Sequence, residues 1–216
     1  MIQEDCNMIE IEELPVKRGN VRLRVARGHF ATNHSHINYY IDISHQKTRL
    51  SEAKDVAKQL APYYNTVPVD TILCLDGTAV IGTCLAEEIV GTRRSVNSNG
   101  AISILEPEYN ANSQIIFRDN AQPLIRNKHV LILMASVTTG FTANRSVEAV
   151  GYYGGTVVGV CSLYSAVSEA AGMKVHSVFD VNDLPDYESY DFRDCPFCKQ
   201  GRRIDALVNS FGYSAL

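Results

Sequence analysis

The sequence predicts an α/β fold with a mostly parallel central sheet that carries helices on both faces. Residues 129–134 and 156–163 are nearly continuous runs of apolar side chains, as in buried strands, and residues 142–153 between them have the composition of a helix. Strands that are apolar on both faces and alternate with helices are typical of parallel sheets. Because ligands of such sheets bind at the carboxyl ends of the strands, we expect the functional site there.

The size of the chain predicts one domain. It has 216 residues, of which 45% are hydrophobic and 20% are charged. This suffices for one well-buried domain and is too little for two large ones, so we predict a single domain over residues 1–216. We expect a small N-terminal hood or lid at residues 1–45 and a C-terminal tail at residues 193–216.

The N-terminal segment predicts the strands of this hood. Residues 9–14 and 21–25 alternate between apolar and charged side chains, which favours an edge strand or a hairpin. Residues 28–43 begin as a polar loop and continue as an aromatic-rich strand. In that strand Tyr39 and Tyr40 are expected to alternate between core and surface.

A helix is predicted after the hood. Ser51 offers a hydroxyl for the N-cap, Glu52 places an acid in the first turn, and Pro62 lies at the end. Apolar residues at helical spacing form the face that we expect to be buried. They are Ala53, Val56, Ala57, Leu60 and Ala61.

The following segment predicts a strand, a turn and a second helix. Residues 69–75 are an apolar strand, Asp76-Gly77-Thr78 a turn and residues 79–90 an apolar helix. Residues 91–100 are polar and predict an exposed loop. Two short strands are then expected, with a polar stretch between them, before the last strand, loop and helix. The short strands are at residues 101–105 and 114–118.

Charge and composition exclude two classes of partner. Twenty Lys and Arg against 24 Asp and Glu give a net charge of -4, so no basic field exists to hold a nucleic-acid backbone. No apolar run approaches the roughly 18 residues of a membrane-spanning helix. Residues 1–5 are acidic where a signal peptide would be basic. We therefore predict a cytoplasmic protein that binds neither nucleic acid nor membranes.

The cysteines are too sparse for a disulfide framework, with six in the chain. Cys74, Cys84 and Cys161 lie in apolar segments and are predicted to be reduced core residues. Cys195 and Cys198 form a C-x-x-C turn, which offers half of a tetrahedral zinc site. No second C-x-x-C or histidine pair is seen near it. A reduced turn, a zinc site and redox chemistry therefore stay open as interpretations.

Three other polar side chains have more than one interpretation. His34 and His36 lie in the hood loop and are either surface residues or candidates for acid–base and metal-binding roles. Asp76 either holds a magnesium ion through water or shapes its turn.

The loop after residues 129–134 has the composition of a phosphate-binding loop. It combines hydroxyl side chains, a glycine that permits close backbone approach and the free N–H groups at the start of a helix. Neither the Walker sequence nor the three-glycine dinucleotide fingerprint is present. We predict that this loop binds a phosphate monoester; the alternative is a Thr-rich helix cap without a ligand. Its residues are Ser136, Val137, Thr138, Thr139, Gly140, Phe141 and Thr142.

Residues 130–142 resemble the signature for 5-phosphoribosyl 1-diphosphate (PRPP) in type I phosphoribosyltransferases. That signature has four apolar residues, two acidic residues and a Thr-Thr-Gly-x-Thr loop. The chain is most similar to orotate phosphoribosyltransferases within the family. Residues 28–30, 38–42 and 195–201 add to the resemblance, and Asp76-Gly77-Thr78 lies where the family has its pyrophosphate loop. The resemblance covers roughly residues 25–201 and implies PRPP binding, pyrimidine nucleotide metabolism, magnesium as cofactor in an active enzyme, and a homodimer.

The chain departs from the family pattern where the chemistry takes place. Met134 and Ala135 occupy the two acidic positions, whose carboxylates in the family face the ribose. Negative charge there would stabilise a ribosyl cation, which neither side chain can do. Residues 105–112 replace the cationic mobile loop and contain two acids, which would repel pyrophosphate, and residues 164–166 replace an Asp-Arg pair on the base side.

Arg93 and Arg94 either replace the lost cations or form a solvated surface pair. Two functions follow from the resemblance and the departures. The chain either binds PRPP, ribose 5-phosphate or a nucleoside monophosphate with weak or lost transferase activity, or it is an active phosphoribosyltransferase for an unidentified base. The joint loss of acids, cationic loop and base-side residues favours the first.

Overall fold

The computed structural model describes residues 9–92, 95–98 and 100–216. Over these residues the chain forms two six-stranded sheets and a separate two-stranded hairpin. The strands are β1 (Glu12–Arg18), β2 (Val21–Ala31), β3 (His36–Ile41), β4 (Thr71–Cys74), β5 (Ser103–Leu105), β6 (Glu108–Tyr109), β7 (Ile115–Ile116), β8 (His129–Val137), β9 (Thr156–Ser165), β10 (Glu169–Ala170), β11 (Met173–Asp180), β12 (Ser189–Tyr190), β13 (Ala206–Asn209) and β14 (Gly212–Ala215). The helices are α1 (Ser44–Thr48), α2 (Leu50–Leu60), α3 (Ala79–Gly91), α4 (Phe141–Tyr152) and α5 (Pro196–Lys199), with 3-10 turns at Ala61–Tyr64 and Gln122–Leu124.

The central sheet confirms the predicted α/β class. Its strand order is β10-β11-β9-β8-β4-β5, and every pair is parallel except β10 with β11. Side chains of β8 alternate between two cores: Leu131 and Leu133 pack with residues of α2 and α3, whereas Val130 and Ile132 pack with residues of α4. Burial on both faces explains why this strand is a continuous apolar run.

The second sheet, which we call the hood, draws its strands from both ends of the chain. Its order is β12-β3-β2-β13-β14, and β1 pairs with the outer part of β2. Strand β13 joins β2 in parallel, with Ala206 opposite Phe30. The hood is therefore not an N-terminal structure alone, because the predicted N-terminal and C-terminal segments form one sheet.

Two expectations about the hood strands were wrong. Residues 28–31 belong to strand β2, and the polar loop is confined to residues 32–35. Tyr39 and Tyr40 do not alternate between core and surface, since both are buried. The reason is that both faces of the hood sheet are covered: Tyr39 packs into the core beneath the hood and Tyr40 into a separate core with Phe30.

Two expectations about later elements also need correction. Helix α2 begins at Leu50 with Arg49 as its N-cap and no side-chain cap, because the chain leaves α1 directly and Ser51 already lies inside the helix. Its predicted buried face is confirmed for Ala53, Val56, Ala57 and Leu60. Residues 114–118 do not add a strand to the central sheet; residues 115–116 pair only with β6.

The three predicted core thiols are reduced and buried. Among the residues that the structure describes, Cys74, Cys84 and Cys161 are free and buried cysteines, and burial raises the pKa of the Cys74 thiol to about 12. Among the described residues, no helix combines the length and the hydropathy needed to span a bilayer.

Asp70 joins the beginnings of two central strands. Its carboxylate accepts a hydrogen bond from the backbone N–H of His129 at 2.7 Å and lies 2.9 Å from the Nδ1 of the same residue. The backbone N–H of His129 is the main reason why the pKa of Asp70 lies below its ordinary value of 3.8. This contact therefore contributes stability above the ordinary pKa, and the contribution is lost as the pH falls through the lowered value.

We expect Asp70→Asn to flatten the acid limb of the stability profile, because the variant has no carboxylate to protonate. The difference should be below about 1 kcal/mol, since both partners are partly exposed. Urea unfolding at a series of pH values measures it. Glu148→Gln, an exposed acid on α4, is the matched control and should leave the profile unchanged. Parallel profiles for the parent and Asp70→Asn would contradict this role.

Candidate phosphate-binding cleft

A cleft of about 280 Å³ lies between the hood and the carboxyl ends of strands β4 and β8. Its walls come from the hood loop, strand β3, helix α1, the turn after β4, the loop after β8 and the turn between β13 and β14. This is the edge of the sheet at which the parallel arrangement predicts a ligand site.

All seven residues of the predicted phosphate loop line this cleft. Strand β8 extends to Val137, so Thr138, Thr139 and Gly140 form the loop itself and α4 begins at Phe141. Gly140, the residue before α4, has no side chain to cap the helix, and the hydroxyl of Thr139 accepts a long hydrogen bond of 3.5 Å from the backbone N–H of Phe141. The N–H groups of the first turn of a helix have no acceptors within that helix, which is the arrangement that commonly binds anions.

Gly140 permits the sharp change from strand to helix. Its φ is 77°, in the left-handed region that residues with a side chain rarely adopt. A Cβ atom at this position would lie 3.3 Å from the Cβ of Ala170. The glycine thus meets both a conformational and a steric requirement of the loop.

The two positions that are acidic in the resembled signature line the cleft with apolar atoms. Met134 and Ala135 are each only 2% exposed. A carboxylate reaches the same place from the turn after β4, because the side chain of Asp76 lies near the backbone N–H of Ala135 and the hydroxyl of Ser210. Burial raises the pKa of Asp76, and these two groups together with the ammonium of Lys47 oppose that rise.

The turn at Asp76-Gly77-Thr78 places its members differently. Asp76 and Gly77 have φ values of 59° and 73°, and Asp76 lines the cleft. Thr78 is buried behind the turn, where its hydroxyl donates to the carbonyls of Leu75 at 2.7 Å and Leu133 at 3.2 Å. The Thr78 side chain therefore joins the turn after β4 to the middle of β8.

Lys47 supplies a cation to the cleft that the sequence did not predict. Its Nζ donates to the backbone carbonyl of Asp76 at 3.0 Å and to that of Ser210. Burial lowers the pKa of Lys47, and the nearby carboxylates of Asp76 and Asp42 oppose this shift. The signal was missed because helix α1, which carries the lysine, was not predicted.

The segment that replaces the cationic mobile loop folds as the β6–β7 hairpin. The carboxylate of Glu108 forms an ion pair with Arg118 at 2.8 Å, so one of its two acids is neutralised and repels anions less than expected. Arg93 and Arg94, the other candidate cations, lie outside the described residues.

Aromatic side chains line the hood side of the cleft. His34 contacts Phe141 of the phosphate loop, with ring centroids 5.3 Å apart. Tyr187 also lines the cleft, and its hydroxyl has no hydrogen-bond partner among the described residues. Tyr164, at the position of the family's base-side pair, is fully buried 5.4 Å from the ring of Tyr187.

The C-x-x-C turn does not line the cleft. Cys195 and Cys198 lie instead beside His29 and His36 of the hood. No histidine pair lies near the two cysteines along the sequence, as expected, but the fold brings His29 and His36 next to them. His36 thus contacts this cluster, whereas His34 faces the phosphate loop.

Comparisons with known proteins agree with this architecture. No protein-family model matches the chain. A curated orotate phosphoribosyltransferase of Desulforamulus reducens is 26% identical over 198 residues, which is 90% of this chain and 93% of the relative.

Two solved structures extend the comparison. The orotate phosphoribosyltransferase of Aeropyrum pernix superposes with a TM-score of 0.52 at 18% identity, covering 74% of this chain and 92% of that one. The enzyme of Mycobacterium tuberculosis gives a TM-score of 0.51 at 16% identity, with 82% and 92% covered. The chain has the type I phosphoribosyltransferase fold. Within this phosphoribosyltransferase fold, the cleft lies at the carboxyl edge of the central sheet, next to the loop that resembles the PRPP signature.

We expect Gly140→Ala to destabilise the protein by about 1–2 kcal/mol, because an alanine is strained at positive φ and its Cβ approaches Ala170. Gly151→Ala is the matched control in the same helix. Its Cβ meets no atom within 4 Å, so it should stabilise the protein by up to about 1 kcal/mol. Chemical denaturation measures both, and equal effects of the two substitutions would contradict the conformational argument.

Proposed function

We propose that the chain binds PRPP or another sugar or nucleoside 5′-phosphate in the cleft and that its transferase activity is weak or lost. The similarity to an orotate phosphoribosyltransferase supports a function of the phosphoribosyltransferase type in pyrimidine nucleotide metabolism. We include in the proposal a cytoplasmic homodimer, in line with the resemblance. The observation that carries it is that all seven residues of the predicted phosphate loop line the cleft beside apolar side chains at the acidic positions.

The 5′-phosphate would bind at the start of helix α4. The first-turn N–H groups, the positive end of the helix dipole and the hydroxyls of Thr138, Thr139 and Thr142 converge on this part of the cleft. These groups bind an anion without an added cation. The negative net charge of the chain therefore does not argue against a phosphate ligand.

The cleft offers less charge for catalysis than it offers hydrogen-bond donors for phosphate binding. Met134 and Ala135 offer no charge to a ribosyl cation, and the ammonium of Lys47 already binds two backbone carbonyls. On the β6–β7 hairpin, the acid Glu108 is held in an ion pair by Arg118. A leaving pyrophosphate would therefore meet less positive charge than an active site of this type requires.

A second candidate function is supported by Asp76. Its carboxylate lies against the backbone of Ala135, beside the acidic positions of the signature, and could supply the negative charge that those positions lack. A carboxylate oxygen is also a suitable magnesium ligand when substrate phosphates and water complete the coordination. The chain would then be an active phosphoribosyltransferase for a nitrogenous base, with magnesium as cofactor.

We expect ribose 5-phosphate and PRPP to bind to the parent and to bind at least about tenfold more weakly after the double change Thr138→Ala and Thr139→Ala, because hydrogen bonds to a charged phosphate are lost. Calorimetric titration with these compounds and with nucleoside monophosphates measures it. Thr83→Ala is the control, because that hydroxyl binds only the backbone of its own helix. Binding that does not respond to the double change would exclude the loop as the site.

A pyrophosphate-release assay with PRPP, magnesium and a panel of bases separates the two functions. The proposed function predicts little or no release with any base, orotate included, and no effect of Asp76→Asn on turnover. Asparagine keeps an acceptor for the N–H of Ala135 and removes only the charge. Efficient release that falls at least about tenfold in Asp76→Asn, but not in the surface variant Asp55→Asn, would instead establish the active transferase.

A further inference from the structure

Four side chains that could bind a metal ion meet at the edge of the hood. One ligand atom from each lies within 4.8 Å of all the others, although the residues come from three separate segments. His29 belongs to strand β2, His36 begins strand β3, and the two cysteines flank the start of helix α5. The cluster consists of His29, His36, Cys195 and Cys198.

Four separations within the cluster are close to those of a tetrahedral site. The Nε2 of His29 lies 3.0 Å from the Nδ1 of His36 and 3.4 Å from the Sγ of Cys195. The Sγ of Cys198 lies 3.3 Å from the Nδ1 of His36 and 3.7 Å from the Nε2 of His29. Zinc bonds to nitrogen and sulfur imply tetrahedral edges of about 3.4 Å between two nitrogens and about 3.6 Å between nitrogen and sulfur.

The backbone fixes the tautomer of His29 that a metal requires. The Nδ1 of this ring faces the carbonyl oxygens of Arg202 at 3.1 Å and Arg203 at 3.0 Å. Because carbonyls only accept hydrogen bonds, Nδ1 carries the proton and Nε2 presents its lone pair to the cluster. A carbonyl that orients the distal nitrogen of a histidine is the usual outer support of a metal ligand.

Hydrogen bonds alone explain less well than a bound cation why these four ligand atoms lie so close together. The lone pair of the His29 Nε2 can accept one strong hydrogen bond, yet one nitrogen and two sulfurs surround it. His29 and Cys195 are fully buried, so their polar atoms have no access to water. A cation at the centre satisfies all four ligand atoms at once.

We propose that His29, His36, Cys195 and Cys198 bind one zinc ion. Two thiolates and two imidazoles in tetrahedral arrangement favour zinc over magnesium or calcium, which prefer oxygen. Because four protein ligands fill the coordination sphere, the site is structural and leaves no position for a reacting water.

The ion would hold the chain where β13 enters the hood. Helix α5 has only four residues and gains little stability by itself. The chain between it and β13 is bound to His29, whose backbone N–H donates to the carboxylate of Asp205 at 2.6 Å. Beyond β13, Ser210 contacts Lys47 and Asp76 in the cleft. The zinc site would therefore position one wall of the cleft. The importance of that wall for a ligand rests on the proposed function, whereas zinc binding itself is independent of it.

Metal analysis of the purified full chain tests the site. We expect a zinc-to-chain ratio near unity for the parent and for two controls, Cys84→Ser in the core and His34→Asn in the same loop as His36. The ratio should fall close to zero in Cys198→Ser and His36→Asn, which change the less buried ligands. Parent protein that is folded and nearly free of zinc after growth in zinc-supplemented medium would overturn the proposal.

A measurement on the unmodified chain covers the case in which the variants do not fold. Zinc should be replaceable by cobalt(II), with the intense visible absorption of a tetrahedral site with thiolate ligands. Removal by a chelator should lower the thermal unfolding midpoint by at least about 5 °C and be reversed by added zinc. A disulfide between Cys195 and Cys198 in the parent, or no cobalt spectrum, would refute the site. Zinc without any phosphate binding would refute the proposed function alone.

Discussion

The parallel pairing of β4 with β8 is the constraint on which the cleft depends. The backbone N–H of Leu75 donates to the carbonyl of Leu133 at 2.9 Å, and the buried hydroxyl of Thr78 reaches the same carbonyl. The turn after β4 therefore lies beside the last residues of β8, which continues beyond β4 to Val137 and leads into the phosphate loop. This register places the carboxylate of Asp76 against the backbone of Ala135 and leaves the phosphate loop open beside it.

The parts that could be predicted from the sequence are those specified by neighbouring residues. The continuous apolar run of β8, the glycine at residue 140 and the helix that follows all lie within about two dozen residues, so their pattern indicates both the buried strand and the loop. Lys47 and the ligand set around Cys195 could not be found this way. Their partners lie 29 residues away for Lys47 and Asp76 and 176 residues away for His29 and Asp205, and they meet only in the folded chain.

Binding and catalysis make different demands on the same cleft. In the proposed function, a phosphate monoester would be held by backbone N–H groups and hydroxyls at the start of α4, which add nothing to the net charge. Transfer of a ribosyl group also needs charges that act on the transition state, and these must come from side chains. Here the side chains at the signature's acidic positions are apolar, while the available carboxylate and ammonium bind the local backbone.

The hood is built from strands at both ends of the chain, and this affects the order in which the parts of the protein fold. During synthesis, β1, β2 and β3 emerge first and can pair with one another, and the central sheet from β4 to β11 follows as a nearly contiguous unit. Only Phe30 and Ala31, at the end of β2, must wait for β13, which follows the central sheet along the chain. Closing such a long loop is entropically costly and slow. The central sheet can therefore fold before the hood is complete, and the cleft between them is the last part of the molecule to form.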